Sequence, residues 1–192
     1  RRSSDLEITF FHQLSDALNA WVDGSTLMLM SDVTTANTIS VGGTKTLDLN
    51  GYKLRISKNA QVISLQEGGD LTIKSSAQGG EVIGCNADRA VVGGKGQTLT
   101  LESGTIKTAA SNCISGTDAV FNLNGGAIEC TSNSSDMTVA SAVYCKGNCT
   151  VNWNGTSITT NTGCGFYSNK TTDTVKIGGG SFAATADTLP DN

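Results

Sequence analysis

The sequence predicts an all-β chain: a parallel β-helix (a solenoid) of about six rungs, fronted by an N-terminal capping α-helix. Three observations carry this prediction. A short phrase of alternating apolar residues and a turn returns along the chain, as "LDLNGYKL", "FNLNGGAI" and "VNWNGTSI". Its copies are unevenly spaced, with the extra residues confined to one place per repeat. The composition, rich in Gly, Ser, Thr and Asn with a single Pro, suits many short strands joined by turns.

The cap comes first, over residues 9–23. In "TFFHQLSDALNAWV", Phe11, Leu14, Leu18, Trp21 and Val22 fall at helical spacing and form an apolar stripe, which Asp23-Gly24 stops. Beyond it the helical period gives way to period-two alternation, and the rungs occupy 25–182. Aligned on apolar-x-apolar, turn, apolar, six copies start at Leu47, Leu71, Leu99, Phe121, Val151 and Val175, at intervals of 24, 28, 22, 30 and 24 residues. The closing apolar residues are Leu54, Val82, Ile106, Ile128, Ile158 and Phe182, with four extra residues before Val82. Short apolar segments around Val92, Ile114 and Tyr144 precede several copies and are read as further strands.

No copy could bury its apolar face alone; stacked at about 4.8 Å, each covers the next. Leu47, Leu49, Leu71, Ile73, Leu99, Leu101, Phe121, Leu123, Val151, Trp153, Val175 and Ile177 are therefore expected to point inward in two files. Asn50, Asn124 and Asn154 are placed at one rung position, where Asn124 and Asn154 could stack as a short ladder. A C-terminal tail, 183–192, completes a single domain spanning 1–192.

Composition bounds the function. With 192 residues and a net charge of −4, the chain lacks the basic balance that nucleic acid or an anionic membrane surface selects. No apolar run reaches membrane-spanning length, so no membrane insertion is expected. The opening "RRSSDLEITF" has neither an initiator Met nor an apolar segment, as expected of a mature or excised fragment. Four Asn-x-Ser/Thr sequons, at Asn133, Asn148, Asn154 and Asn169, match the chance expectation of about 3.5 for this composition and carry no signal. Six cysteines permit three disulfides, favouring an oxidised extracellular chain; the alternative is buried free thiols. Cys145 and Cys149 flank "KGN" and are expected to pair locally, with Cys85–Cys113 and Cys130–Cys164 joining adjacent rungs.

The quoted phrases resemble the right-handed parallel β-helix of the pectate-lyase-like superfamily, and more narrowly the β-helix modules of large surface or adhesin proteins of Gram-positive bacteria. "LSDALNAWVDGSTLMLMSDVT", "KTLDLNGYKL", "LTLESGTI" and "IGGGSF" carry the likeness, over about residues 10 to 182. It implies the right-handed fold, a helix covering the open first rung, and a place within a larger surface protein. It does not choose a function, because that scaffold hosts lyases, hydrolases and inert stalks alike.

An enzyme would need carboxylates, or a carboxylate with Arg or Lys, converging on one outward face. Asp48 and Asp70 are the best acidic pair, expected as near neighbours on adjacent rungs, with Lys53 and Arg55 leaving the first of those rungs. His12 lies on the cap, and the glycine runs at Gly93 and Ile177 lack a phosphate-loop context. No cofactor or metal is implied. A binding surface draws on other residues: Thr98, Thr100, Asn122 and Asn152 on an outward face, with Tyr52 and Tyr167 as exposed rings. An ice-binding Thr-x-Thr array fits "TLT" but not its neighbours "DLT", "VFN" and "TVN". The longest insertion, Glu129 to Val143, is expected to be a polar, flexible loop. The reading is a non-catalytic extracellular module whose partner is a glycan or a protein; the alternative is a carbohydrate-active lyase or hydrolase.

Overall fold

The computed structural model describes residues 8–85 and 89–184. The expected tail therefore lies, from residue 185 on, outside the described residues, while 183 and 184 belong to the last strand.

Helix α1 (Leu14–Ala20) is shorter than the predicted cap. The chain then winds through β1 (Thr26–Met28), β2 (Val33–Thr35) and β3 (Ile39–Val41), and on through β4 (Thr44–Asp48), β5 (Lys53–Ile56) and β6 (Ile63–Leu65). The third turn is β7 (Asp70–Lys74), β8 (Glu81–Ile83) and β9 (Val91–Gly93), and the fourth is β10 (Thr98–Leu101), β11 (Thr105–Thr108) and β12 (Ile114–Thr117). The fifth comprises β13 (Val120–Leu123), β14 (Ala127–Cys130), helix α2 (Met137–Ala140) and β15 (Val143–Lys146). The sixth has β16 (Thr150–Trp153), β17 (Ser157–Thr160) and β18 (Phe166–Ser168), and β19 (Thr174–Ile177) and β20 (Ser181–Ala184) begin a seventh. Every third strand stacks in parallel, giving a first and second sheet of seven strands each and a third of six. The protein is a parallel β-solenoid of about six turns. Six strand spacings make its column about 29 Å long.

The inward files form as expected over most of their length. Leu71, Leu99, Phe121 and Val151 stack in one, and Ile73, Leu101, Leu123 and Trp153 in the other, all buried. Each such side chain contributes about 1.5–3 kcal/mol by leaving water. The third sheet keeps glycine at Gly93 and Gly116 where the ring of Phe121 fills the column.

The register of the first aligned copy differs by two residues. Lys45, not Leu47, lies beside Leu71; Leu47 pairs with Ile73, and Asp48 with Lys74. Leu49 passes beyond the file and is buried beneath the following turn, against Ser75, Gly80 and Gly104. Asn50 and Gly51 are both left-handed (φ 46° and 81°) and close a tight turn that the later copies do not share. Lys45 stands at the end of its file with its ammonium 5.4 Å from the Trp21 ring, and the apolar stack begins at Leu71.

The ends differ from expectation as well. Leu14, Leu18 and Trp21 pack against the first turn, but Phe11 and Val22 are exposed. At the other end Val175, Ile177 and Phe182 are exposed, since among the described residues no further strand stacks over them. The insertion is not a free arm. Asp136 caps α2 by accepting from the Thr138 backbone N–H at 2.9 Å, Ala140, Ser141 and Ala142 are buried, and the Thr162 hydroxyl donates to the carbonyls of Ser132 and Ser134.

Candidate functional site

The candidate acids do not meet. Asp70 pairs with Thr44 and Asp48 with Lys74, so four residues of strand separate them, about 13 Å at roughly 3.3 Å each. Asp48 is fully buried. Its Oδ1 accepts from the backbone N–H groups of Asn50 and Ser76, both at 2.9 Å, tying two successive turns together. The Lys74 ammonium lies 3.7 Å from Oδ2, an oxygen that no hydrogen bond satisfies among the described residues. Asp48 is a buried clamp between two successive turns, and Asp70 is a half-buried residue of the outward face.

The other charged group sits on the second sheet. Glu81 accepts from the Lys107 ammonium at 2.7 Å and lies 3.6 Å from that of Lys53. Burial pulls its carboxyl up, but the two ammoniums outweigh burial and hold it below the usual carboxylate value. This pairing serves the ion cluster itself and leaves the carboxylate occupied. His12 is exposed just before α1. Among the described residues no three His, Cys, Asp or Glu side chains gather as a metal site.

The predicted polar face does assemble, on the first sheet. One outward file reads Thr26, Thr46, Thr72, Thr100, Asn122, Asn152 and Lys176; its neighbour reads Thr44, Asp70, Thr98, Val120, Thr150 and Thr174. Lys176 apart, the side chains are short or β-branched, which keeps the surface flat. Hydrogen bonds fix part of it: Asn152 Nδ2 donates to Asn122 Oδ1 at 2.7 Å, and Asn122 Nδ2 to Thr100 Oγ1 at 3.3 Å. A second ladder runs along the corner, Asn154 to Asn124 and Asn124 to Glu102, each at 2.9 Å. A primary amide has two N–H donors and two acceptor lone pairs, so each laddered Asn keeps a donor and a lone pair for a ligand. The two-residue shift also brings Thr44 and Thr46 beside Asp70 and Thr72, a larger threonine patch than the aligned sequence suggests.

The expected rings lie elsewhere. Tyr52 is half-buried against the core after the Asn50-Gly51 turn. Tyr167 sits on the third sheet, its ring 5.6 Å from that of Tyr144. Tyr144 shares the outward file with Ser115 and carries Lys146 over its ring at 5.0 Å. The four residues inserted before Val82 create a feature that sequence alone did not suggest: a groove of about 340 Å³ at the corner of the first two sheets. Ser75, Ser76, Ser103 and Gly126 are among its lining residues, small groups without charge.

No helix among the described residues is long and apolar enough to cross a membrane. Compared with protein-family models, curated proteins and solved structures, the chain matches none.

Proposed function

We propose that the chain is a non-catalytic extracellular β-helix module of a cell-surface or adhesin-type protein, and that it binds a glycan on the outward face of the first sheet. The observation that carries the reading is the Thr100–Asn122–Asn152 ladder. It is a flat, pre-bonded row of amides and hydroxyls, flanked by Thr98 and Thr150, at a repeat of about 4.8 Å. Such a row meets the hydroxyls of an extended saccharide with donors and acceptors whose rotamers are already fixed, which lowers the ordering cost of binding. The burial of Asp48 and its distance from Asp70 remove the one acidic pair that favoured hydrolysis or elimination. The likeness of the rungs to pectate-lyase-like β-helices of bacterial surface proteins supports the extracellular setting and the larger parent protein.

The test is a panel of neutral and acidic polysaccharides, with mucin-type glycans and host-matrix proteins, probed with the wild-type chain, Asn122→Ala with Asn152→Ala, and Thr159→Ala on the second sheet. The expected result is binding to a glycan that falls about tenfold, roughly 1.4 kcal/mol, in the double variant and is unchanged in Thr159→Ala. Binding to a matrix protein alone, or release of reducing or unsaturated ends from any glycan, would replace this reading.

A further inference from the structure

The six cysteines are free thiols, and the expected neighbours Cys85–Cys113 and Cys130–Cys164 are replaced by other contacts. Cys85 directs its sulfur to the Ala60 carbonyl at 3.5 Å, and Cys164 to that of Phe166 at 3.2 Å. Cys113 and Cys130 instead interlock. Cys113 Sγ lies 3.1 Å from the carbonyl of Glu129, the residue before Cys130. Cys130 Sγ lies 3.4 Å from the carbonyl of Ser111, two residues before Cys113. In the second pair Cys149 Sγ lies 3.4 Å from the carbonyl of Gly116, the register partner of Cys145, and 3.6 Å from that of Lys146, the residue after Cys145. Within each pair the neighbouring thiol raises the one member and lowers the other.

We infer that the oxidised protein carries two disulfides, Cys113–Cys130 and Cys145–Cys149, while Cys85 and Cys164 remain thiols. Both bridges frame the 131–142 insertion, since Cys130 ends the strand before it and Cys145 lies in the strand after it. The first links two successive turns of the solenoid at the insertion's entry. The second closes the Lys146–Asn148 turn, where Gly147 is left-handed at φ 87°. Oxidation therefore fixes both feet of the one long excursion on the scaffold. This inference rests on the proposed extracellular setting only for the source of oxidant, not on the identity of any ligand.

The chemistry has a direction. The Cys145 thiol donates to Cys149 and holds the latter below the usual thiol value, at about 6, whereas that hydrogen bond and burial push Cys145 up. Cys149 is thus the first thiolate. It attacks a sulfur of glutathione disulfide and expels one glutathione thiolate; Cys145 then gives up its proton and attacks the Cys149 sulfur, expelling the second. Two thiols lose two electrons and two protons, and one glutathione disulfide becomes two glutathiones. At the other pair the Cys113 thiol lowers Cys130, and burial raises Cys113, so Cys130 attacks first. All four sulfurs belong to buried residues, so in the folded protein this order applies to exchange through local opening of the turns, while during refolding either thiol of a pair can attack first.

The experiment refolds the reduced, denatured chain in a glutathione/glutathione disulfide buffer and traps the remaining thiols with iodoacetamide. Non-reducing digestion then uses an endoproteinase cutting after Glu129, trypsin after Lys146, and chymotrypsin after Tyr144 and Trp153, which puts each cysteine on its own peptide. A parallel incubation of the folded protein in the same buffer with low urea makes the result independent of refolding yield. Linked peptides Cys113–Cys130 and Cys145–Cys149, with Cys85 and Cys164 alkylated, are expected. Cys113→Ala should leave Cys130 alkylated and the Cys145–Cys149 link intact. A Cys85–Cys113 or Cys130–Cys164 link, or alkylation of all six thiols after both treatments, would overturn the inference.

Discussion

Replacing Asp48 separates a structural carboxylate from a catalytic one. Its Oδ1 takes hydrogen bonds from two backbone N–H groups, Asn50 and Ser76, inside a fully buried site. Asp48→Ala removes the acceptor and leaves both donors unpaired. A hydrogen bond to a charged group contributes about 1.5–3 kcal/mol, so the loss of two should total about 3–6 kcal/mol. Asp48→Asn keeps an oxygen for the two donors but loses the charge assistance of both bonds, about 1 kcal/mol each, and the attraction to Lys74, whose side chain is 44% exposed. Solvent screening keeps the Lys74 contribution below about 1 kcal/mol, so the Asn variant should lose about 2–3 kcal/mol in all. Urea denaturation followed by far-UV circular dichroism measures both, with the slope checked for constancy. Equal costs for the Ala and Asn variants would refute the clamp. So would an Asp48→Asn protein of unchanged stability that had lost a glycan-cleaving activity.

Other expectations follow from the same geometry. Leu101→Asp places an unpaired charge in the middle of the column and should cost more than about 3 kcal/mol, whereas Thr100→Asp on the outward face should cost less than about 1 kcal/mol, as read from denaturant midpoints. Gly126 is left-handed at φ 71°, and a Cβ there would collide with the Gly104 carbonyl; Gly126→Ala should lower stability by about 1–3 kcal/mol in thermal melts. Glu81 titrates below its unfolded value, so its ion cluster contributes stability above the unfolded carboxylate pKa of about 4.3 and loses it as pH falls through the folded value. Glu81→Gln should accordingly cost about 1 kcal/mol at pH 7, and wild type and variant should converge in stability only as pH falls through the lowered folded value.

The inward files were legible because a stacked coil repeats its constraint: Leu99 and Leu101, Phe121 and Leu123, Val151 and Trp153 each had to match the turn before. The first copy was not legible in the same way. "LDLNG" and "FNLNG" look alike as strings, yet Asn50 and Gly51 form a left-handed pair while at the later copy only Gly126 is left-handed. Identity of letters thus concealed a register shift of two, and with it the burial of Asp48. Composition made the insertion look loose, because its backbone partners, Thr162 and the buried Asn112 that donates to Ser141 at 2.8 Å, come from neighbouring turns. The polar face was readable residue by residue at Thr98, Thr100, Asn122 and Asn152. Its hydrogen-bonded continuity depends on side chains from three turns meeting in register, which spacing alone does not fix.

The most direct measurement of the binding face is a titration of the side-chain amide resonances with the tightest-binding oligosaccharide of the panel. The Asn122 and Asn152 amides should shift together with occupancy, since they carry the unsatisfied donors of the ladder. Asn133 and Asn161, which bond to each other beside the insertion, should stay in place. Shifts confined to Asn133 and Asn161, with the ladder silent at saturating ligand, would contradict the account and move the binding site to the insertion.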